Sequence, residues 1–373
     1  MIVKKAKRVG FIIDNCLPTV ASCLRFETSP RVLFSGWPTG SATTEMRFGW
    51  LAQHVNKHLS SDFCYELYRP WRSYDAVIFL KSFSPDCLQL ARELKARNIT
   101  TVFDLNVDYL SPAVGRFYYN GMAPTKQQRS AASAMVKVCD AVLCASQHIA
   151  SVVSADNENV YWVPDNVRDD LISRDNLWLP KLDKYIPIVW SGQATKLFEL
   201  LKIKDVLLSF ADNIHLKIIT NSLGALKKWY EPYEKEFHSM LKQLSHEIIP
   251  FTSIDDLMKV YAQGGVCISP RFLDSSYNLG HSEWKITLAM AKGCITLASE
   301  QKSYIDVYDR ADGHGLRICR SNEEWEAALK AILDPNFSWK QEQDAALTVV
   351  KDYYSSSVIA DQHASIMNKA LCG

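Results

Sequence analysis

A chain of 373 residues is too long for one ordinary α/β core and fits two cores of roughly 150–200 residues each. Hydrophobic residues make up 47% and charged residues 22%, which argues against a disordered or coiled-coil protein. Forty-two basic against 41 acidic side chains leave a net charge of +1, so the basic excess of a nucleic-acid binder is missing.

The chain opens on a basic leader, Met1-Ile-Val-Lys-Lys-Ala-Lys-Arg8. The apolar run after it spans about four residues before Asp14, too short for a signal peptide or a membrane-spanning helix. The leader reads as a solvated entry into the first strand, or as a loose electrostatic contact with an anionic membrane surface. Short β-branched runs then alternate with longer amphipathic stretches. Strands are predicted at Val9–Ile13, Arg31–Phe34, Asp75–Leu80, Thr100–Asp104, Ala141–Cys144 and Tyr161–Val163. Helices lie between them, for instance Pro85–Arg97 with Leu88, Leu90, Ala91 and Leu94 on one face. Unbroken apolar strands separated by helices indicate a parallel sheet covered on both faces. They define a first doubly wound domain over residues 1–170.

Residues 171–185 carry turn and polar signals and read as a linker. The alternation restarts with strands predicted at Ile186–Trp190, Leu216–Thr220, Glu247–Ile249, Val266–Ser269 and Ile295–Ala298. The accompanying helices are Lys196–Phe210, Ile254–Ala262, Trp284–Lys292 and Asn322–Leu333. A second doubly wound domain follows over 186–355, and the helical tail 356–373 has spare length to return to the first. The fold class is therefore α/β, two Rossmann-like parallel-sheet domains facing a cleft. The ten cysteines form no Cys-x-x-Cys pair and no zinc spacing, and several sit in apolar runs, as free thiols in a reducing cytoplasm do. No Gly-x-Gly-x-x-Gly follows a strand and no P-loop is present, which speaks against NAD enzymes and P-loop kinases.

In open parallel sheets ligands bind at the carboxyl ends of strands. Four loops at such ends supply the candidate residues. Ser35-Gly-Trp-Pro-Thr-Gly-Ser-Ala-Thr43 offers Gly36, Gly40 and Ser41 for close approach to an acceptor. Asp104-Leu-Asn-Val-Asp108 offers Asp104 and Asn106 to an acceptor hydroxyl and Asp108 as a base. Trp190-Ser-Gly-Gln-Ala-Thr-Lys196 suits a diphosphate: Ser191, Gly192, Gln193 and Thr195 surround it and Lys196 adds a point charge. The long polar loop from Ser269 to Lys285 brings Gly280, His281, Ser282, Glu283 and Lys285, with Ser282 placed to cap the helix that follows. Asn221, after the strand Leu216–Thr220, joins the donor-binding set. Trp37, Trp50, Trp71, Phe117, Tyr118 and Tyr119 are either saccharide-stacking side chains or core.

At these positions the sequence resembles the family 4-like glycosyltransferases of the GT-B fold, and the likeness runs over nearly the whole chain. Tyr74-Asp-Ala-Val-Ile-Phe-Leu-Lys81, Val102-Phe-Asp-Leu-Asn-Val-Asp108 and Cys139-Asp-Ala-Val-Leu-Cys-Ala-Ser146 resemble successive strands of the family's first domain. Val163-Pro-Asp-Asn-Val167 is similar to the stretch before its linker, and Val189-Trp-Ser-Gly192 to the opening of its donor domain. The segment His281-Ser-Glu-Trp-Lys-Ile-Thr-Leu-Ala-Met-Ala-Lys-Gly-Cys-Ile-Thr-Leu-Ala-Ser299 is similar to the family's donor-site signature. Its paired glutamates, one for the donor's sugar and one for its ribose, would fall at Gly280 and Leu288, so both carboxylates are missing. Gln193 stands where a basic residue often follows the glycine, and Glu283 is a substitute carboxylate from a shifted position.

The resemblance implies transfer of a sugar from a nucleoside diphosphate sugar to a hydroxyl, with retention at the anomeric carbon. No separate cofactor is expected, and no metal, because Lys196 and Lys285 answer the charge that builds on the departing diphosphate. The expected partners are the nucleotide sugar and a saccharide, lipid-linked or other hydroxyl acceptor. Nucleic acid is not among them, and the expected place is the cytoplasm, with at most peripheral contact to the inner face of the membrane. The competing readings are a nucleotide-sugar-binding protein without activity and a sugar-nucleotide epimerase of the same architecture.

Overall fold

The structure is a computed structural model that describes residues 6–15, 42–60, 62–112, 124–174, 177–180, 185–221, 231–274 and 276–372. It divides into two compact units. The first holds the described residues up to Arg168, the stretch 276–282 and the chain from Tyr354 onward; the second holds Asp169–Asp274 and Glu283–Tyr353.

In the first unit six parallel strands, β1 (Lys7–Ile13), β2 (Phe63–Leu67), β3 (Ala76–Leu80), β4 (Thr100–Leu105), β5 (Ala141–Cys144) and β6 (Val160–Trp162), lie in the order β2-β1-β3-β4-β5-β6. Strand β3 shows why its sequence is wholly apolar. Ala76, Ile78 and Leu80 enter one core, Val77 and Phe79 the other, and all five are fully buried. Strand β2 was not foreseen, because Phe63-Cys-Tyr-Glu-Leu67 is a half-covered edge strand that buries Phe63 and Tyr65 on alternate positions. The predicted strand Arg31–Phe34 lies outside the described residues.

Helix α1 (Trp50–His58) is entered through one π-helical stretch, Glu45–Gly49. Helices α2 (Pro85–Ala96), α3 (Lys126–Val138) and α4 (Gln147–Val153) each start on a hydroxyl cap: Ser84, Thr125 and Ser146 accept from the amides of Cys87, Gln128 and Ile149. Their apolar faces cover one side of the sheet through Ala91, Leu94, Met135, Val136, Ile149 and Val153.

The second unit repeats the scheme. Strands β7 (Ile186–Ser191), β8 (Ile214–Thr220), β9 (His246–Pro250), β10 (Val266–Ser269), β11 (Ile295–Ser299) and β12 (Leu316–Cys319) pair in parallel in the order β12-β11-β10-β7-β8-β9. Among the described residues its α-helices are α5 (Lys204–Ser209), α6 (Glu231–Leu241), α7 (Ile254–Ala262), α8 (Trp284–Met290), α9 (Lys302–Arg310), α10 (Asn322–Leu333) and α11 (Trp339–Tyr353). The turn after α8 closes on Gly293, whose φ of +71° only glycine adopts at no cost. The last helix, α12 (Ser356–Cys372), returns to the first unit and packs Ile359, Ala360 and Met367 into the core shared by β1 and α1. Two doubly wound parallel sheets are the architecture expected from the alternating pattern. Among the described residues no helix is long and apolar enough to cross a membrane.

Candidate functional site

The second sheet reverses its strand order between β7 and β10, the place where open α/β sheets receive ligands. Strand β7 leads into a 3-10 helix over Ala194–Ile203, where an α-helix over Lys196–Phe210 was expected. Three residues per turn set Lys196, Glu199 and Lys202 in one column. Glu199 is wholly buried and pairs with Arg271, which follows β10, at 3.1 Å. Lys202 Nζ donates to the carbonyl of Arg271 (2.8 Å) and to Ser299 Oγ (3.1 Å), fixing that arginine from behind.

Lys285, in the first turn of α8, lays its ammonium 4.6 Å from the centre of the Trp190 ring. Its Nζ is buried and has no hydrogen-bond partner among the described residues. Burial, with the like charge of Arg271, pushes Lys285 down to about 7. Burial and Arg271 also hold Lys196 well below the ordinary lysine value, Glu199 works against them, and Lys285 adds to the lowering. Lys196, Lys285 and Arg271 are thus brought together, and Glu199 is the carboxylate that acts on all of them.

Several residues assigned to donor binding sit otherwise than expected. The Gly192 amide donates to the carbonyl of Ile219 (3.0 Å), so it is not open to an anion. Gly192 is needed instead for space, since a Cβ there would lie 2.9 Å from the Trp190 ring. Ser191 turns inward, its hydroxyl 2.7 Å from that of Tyr261. Asn221 accepts from the Ala194 amide (2.6 Å) and so holds the loop. Gln193 is exposed, while the Thr195 hydroxyl is buried without a hydrogen-bond partner among the described residues. Ser282 does not cap α8: that position is taken by Glu283, wholly buried and making no side-chain cap bond.

Gly280, His281 and Ser282 fall in the first unit, although the chain around them belongs to the second. Polar anchors explain it. Ser276 Oγ donates to the carbonyl of Pro112 (3.1 Å), Ser146 Oγ to that of Gly280 (3.0 Å), and Ser282 Oγ to Asp165 (2.5 Å). His281 packs edge-on against Tyr277 at 4.7 Å. Gly280 lies directly on Asp108, whose Cβ would be 2.8 Å from any Cβ at 280.

The first unit has its own charged centre. Arg47, from the π-helical stretch before α1, is 4% exposed and reaches Asp104 (2.8 Å), Asp165 (2.7 Å) and the carbonyl of Val163 (3.0 Å). Asp104 therefore does not face an acceptor. It is 1% exposed and its oxygens are taken by Arg47. Asn106 donates to Thr43 Oγ1 (2.9 Å), and its own side-chain carbonyl has no partner among the described residues. Asp108 accepts from the amides of Leu110 (2.9 Å) and Ser111 (3.0 Å) and faces His148. Trp50 is core and Trp71 is 48% exposed. Gly36, Trp37, Gly40, Ser41, Phe117, Tyr118 and Tyr119 lie outside the described residues.

Sequence reasoning passed over Arg47, His148, Glu199 and Arg271. His148 and Arg271 follow strand ends and were within reach of the strand-end rule; Arg47 and Glu199 find their partners 57 and 72 positions away, which no local spacing announces. Among the described residues no group of three or more His, Cys, Asp or Glu gathers as a metal ion would require.

No protein-family model and no curated relative matches the chain. Solved structures do. The chain is similar to the Anabaena HepE protein solved with UDP and glucose (TM-score 0.66, 11% identity, covering 97% of this chain and 99% of that one). It is also similar to a glycosyltransferase from Rickettsia africae (TM-score 0.65, 12% identity, 99% of each chain). A third likeness is to sucrose-phosphate synthase from Thermosynechococcus elongatus (TM-score 0.59, 14% identity, 80% of this chain and 74% of that one). Two Rossmann-like domains, each with six parallel strands among the described residues and matched over their length by these structures, give the chain the GT-B fold.

Proposed function

We propose that the chain is a glycosyltransferase that binds a nucleoside diphosphate sugar on its second unit and moves the sugar to an acceptor hydroxyl. The observation that carries this is the gathering of Lys196, Lys285 and Arg271 near Glu199, at the strand reversal of the second sheet. Negative charge grows on the diphosphate as the bond to the anomeric carbon breaks, and preset cations at that point lower the barrier. The family's paired carboxylates are missing at Gly280 and Leu288, while the cationic cluster stays.

The likeness to a protein solved with UDP and glucose supports a uridine diphosphate sugar as donor. The resemblance to family 4-like enzymes supports retention, and the cluster supports transfer in which ammonium and guanidinium groups take the place of a divalent ion. The acceptor belongs on the first unit, whose strand ends carry Asn106 and Asp108. The cysteines among the described residues are all free, which fits work in a reducing cytoplasm.

Thermal-shift titration with a panel of nucleoside diphosphate sugars tests the reading, followed by mass spectrometry of products formed with saccharide acceptors. The expected results are a raised melting point with at least one donor, a glycoside product, and a loss of at least ~100-fold in turnover for Lys196→Ala. Binding without product identifies an inactive binding protein, and change of the nucleotide sugar with no acceptor present identifies an epimerase.

A further inference from the structure

We propose that the side-chain amine of Lys285 takes up carbon dioxide as a carbamate, and that this modification closes the cationic cluster to a nucleoside diphosphate. The modification stands on the site itself; its effect on the donor rests on the transfer reading above. Every residue involved belongs to the second unit.

The site is short of acceptors. Lys285 Nζ lies 4.6 Å from the centre of the Trp190 ring and is buried with no hydrogen-bond partner among the described residues. Trp190 is wholly buried, and its Nε1 is in the same condition. Two donors that meet at one indole thus lack an acceptor, at a cost in desolvation. The acidic groups nearby do not supply one. Glu199 gives both carboxylate oxygens to Arg271 Nη1 (3.1 and 3.3 Å). Cys267 feels the charge of Lys285, but burial pushes its thiol up to about 12, so it is neutral at ordinary pH. Arg271 has donors to spare: its Nε and Nη2 reach the Tyr304 hydroxyl at a long 3.4 Å each.

A carbamate answers these demands in one group. Its two oxygens accept hydrogen bonds, and its negative charge offsets the guanidinium of Arg271 and the ammonium of Lys196. An imine formed with an aldehyde brings neither an anion nor an oxygen acceptor, so carbon dioxide is the electrophile that fits. Lys285 is partly exposed while its Nζ is enclosed, a setting that admits a small apolar molecule better than a hydrated ion. The amine is also in its nucleophilic state. Burial and Arg271 push it down to about 7, which leaves it largely unprotonated at pH 8.

In the step, the nitrogen lone pair bonds to the carbon of carbon dioxide, one carbon–oxygen π pair moves onto oxygen, and the nitrogen gives a proton to water. A neutral amine thereby becomes an anion, which repels the diphosphate that the ammonium attracts.

The test equilibrates wild type with carbon-13-labelled bicarbonate at pH 8, reads the carbon NMR spectrum, and then traps carbamates with a trialkyloxonium reagent for peptide mass spectrometry. We expect a carbamate resonance that is absent from Lys285→Met, and a trapped ester on the peptide carrying Lys285. Calorimetric titration with UDP, with and without bicarbonate at equal ionic strength, reads the closure. At half occupancy the apparent Kd should rise about twofold, because only the unmodified lysine is competent. Folded wild type with no carbamate, or with the ester only on the amino terminus or on other lysines, overturns the proposal. Bicarbonate that weakens UDP binding without a trapped carbamate also overturns it, since that pattern marks plain competition between anions. A carbamate on Lys285 with unchanged UDP affinity overturns the closure and places the diphosphate elsewhere. Wild type that binds no nucleoside diphosphate in carbon-dioxide-free buffer overturns the transfer reading and the closure with it, while the trapped ester decides the modification by itself.

Discussion

Replacing Lys285 by methionine should make the ligand-free protein more stable and the proposed sugar transfer far slower. Methionine keeps most of the apolar stem against Trp190 and removes the ammonium. A fall from the ordinary 10.5 to about 7 means that the fold disfavours the protonated lysine by up to roughly 5 kcal/mol. The unfolded chain keeps this proton up to about pH 10.5, the folded chain only up to about pH 7. Between those values the unfolded state binds more protons, so this group's contribution to stability rises with pH. The advantage of Lys285→Met is therefore largest at and below pH 7 and closes toward pH 10.5. The cation–π contact returns about 0.5–2 kcal/mol of the penalty, which leaves a gain of a few kcal/mol at neutral pH. Thermal unfolding followed by circular dichroism at pH 6, 7.5 and 9 reads the gain, and sugar transfer at pH 7 should fall at least ~100-fold. A variant that melts below wild type at pH 6, or that turns over at the wild-type rate, refutes the reasoning.

Arg271→Met should destabilise the second unit by about 3–5 kcal/mol, because it strands the buried Glu199 carboxylate. The double variant Arg271→Met, Glu199→Met should recover most of that in chemical unfolding yet still fail to bind a nucleoside diphosphate. Binding of UDP at pH 8 should take up a proton as Lys285 regains its charge; calorimetry in buffers of differing ionisation heat detects it, and Lys285→Met should abolish it. Gly280→Ala should cost about 1–3 kcal/mol in thermal unfolding, since its Cβ would press on Asp108 from 2.8 Å.

The fold was legible wherever strands are buried on both faces. Ala141–Cys144 reads as a strand with the bounds it adopts, because each of its residues enters a core. β2 escaped notice, because an edge strand that carries the charged Glu66 in its middle resembles a loop to a search for unbroken apolar runs. Residues 194–203 carry a pattern that suits either helix type, and tertiary contacts of Lys202 and Glu199 accompany the 3-10 form. Lys196 and Lys285 could be picked out as cations in the loops and helix starts that follow strands. The partners that give them meaning were not, since Arg271 and Glu199 meet only through the sheet order. Chain order also misassigned 276–282, whose hydroxyls find Pro112, Ser146 and Asp165 in the first unit.

A crystal structure of the chain with UDP bound is the most direct measurement of where the donor's diphosphate sits. The account predicts phosphate oxygens about 3 Å from Lys285 Nζ, with Lys196 and Arg271 as the other cations around them. A UDP molecule seated elsewhere, or one whose phosphates point to solvent while this cluster stays unchanged, would contradict it.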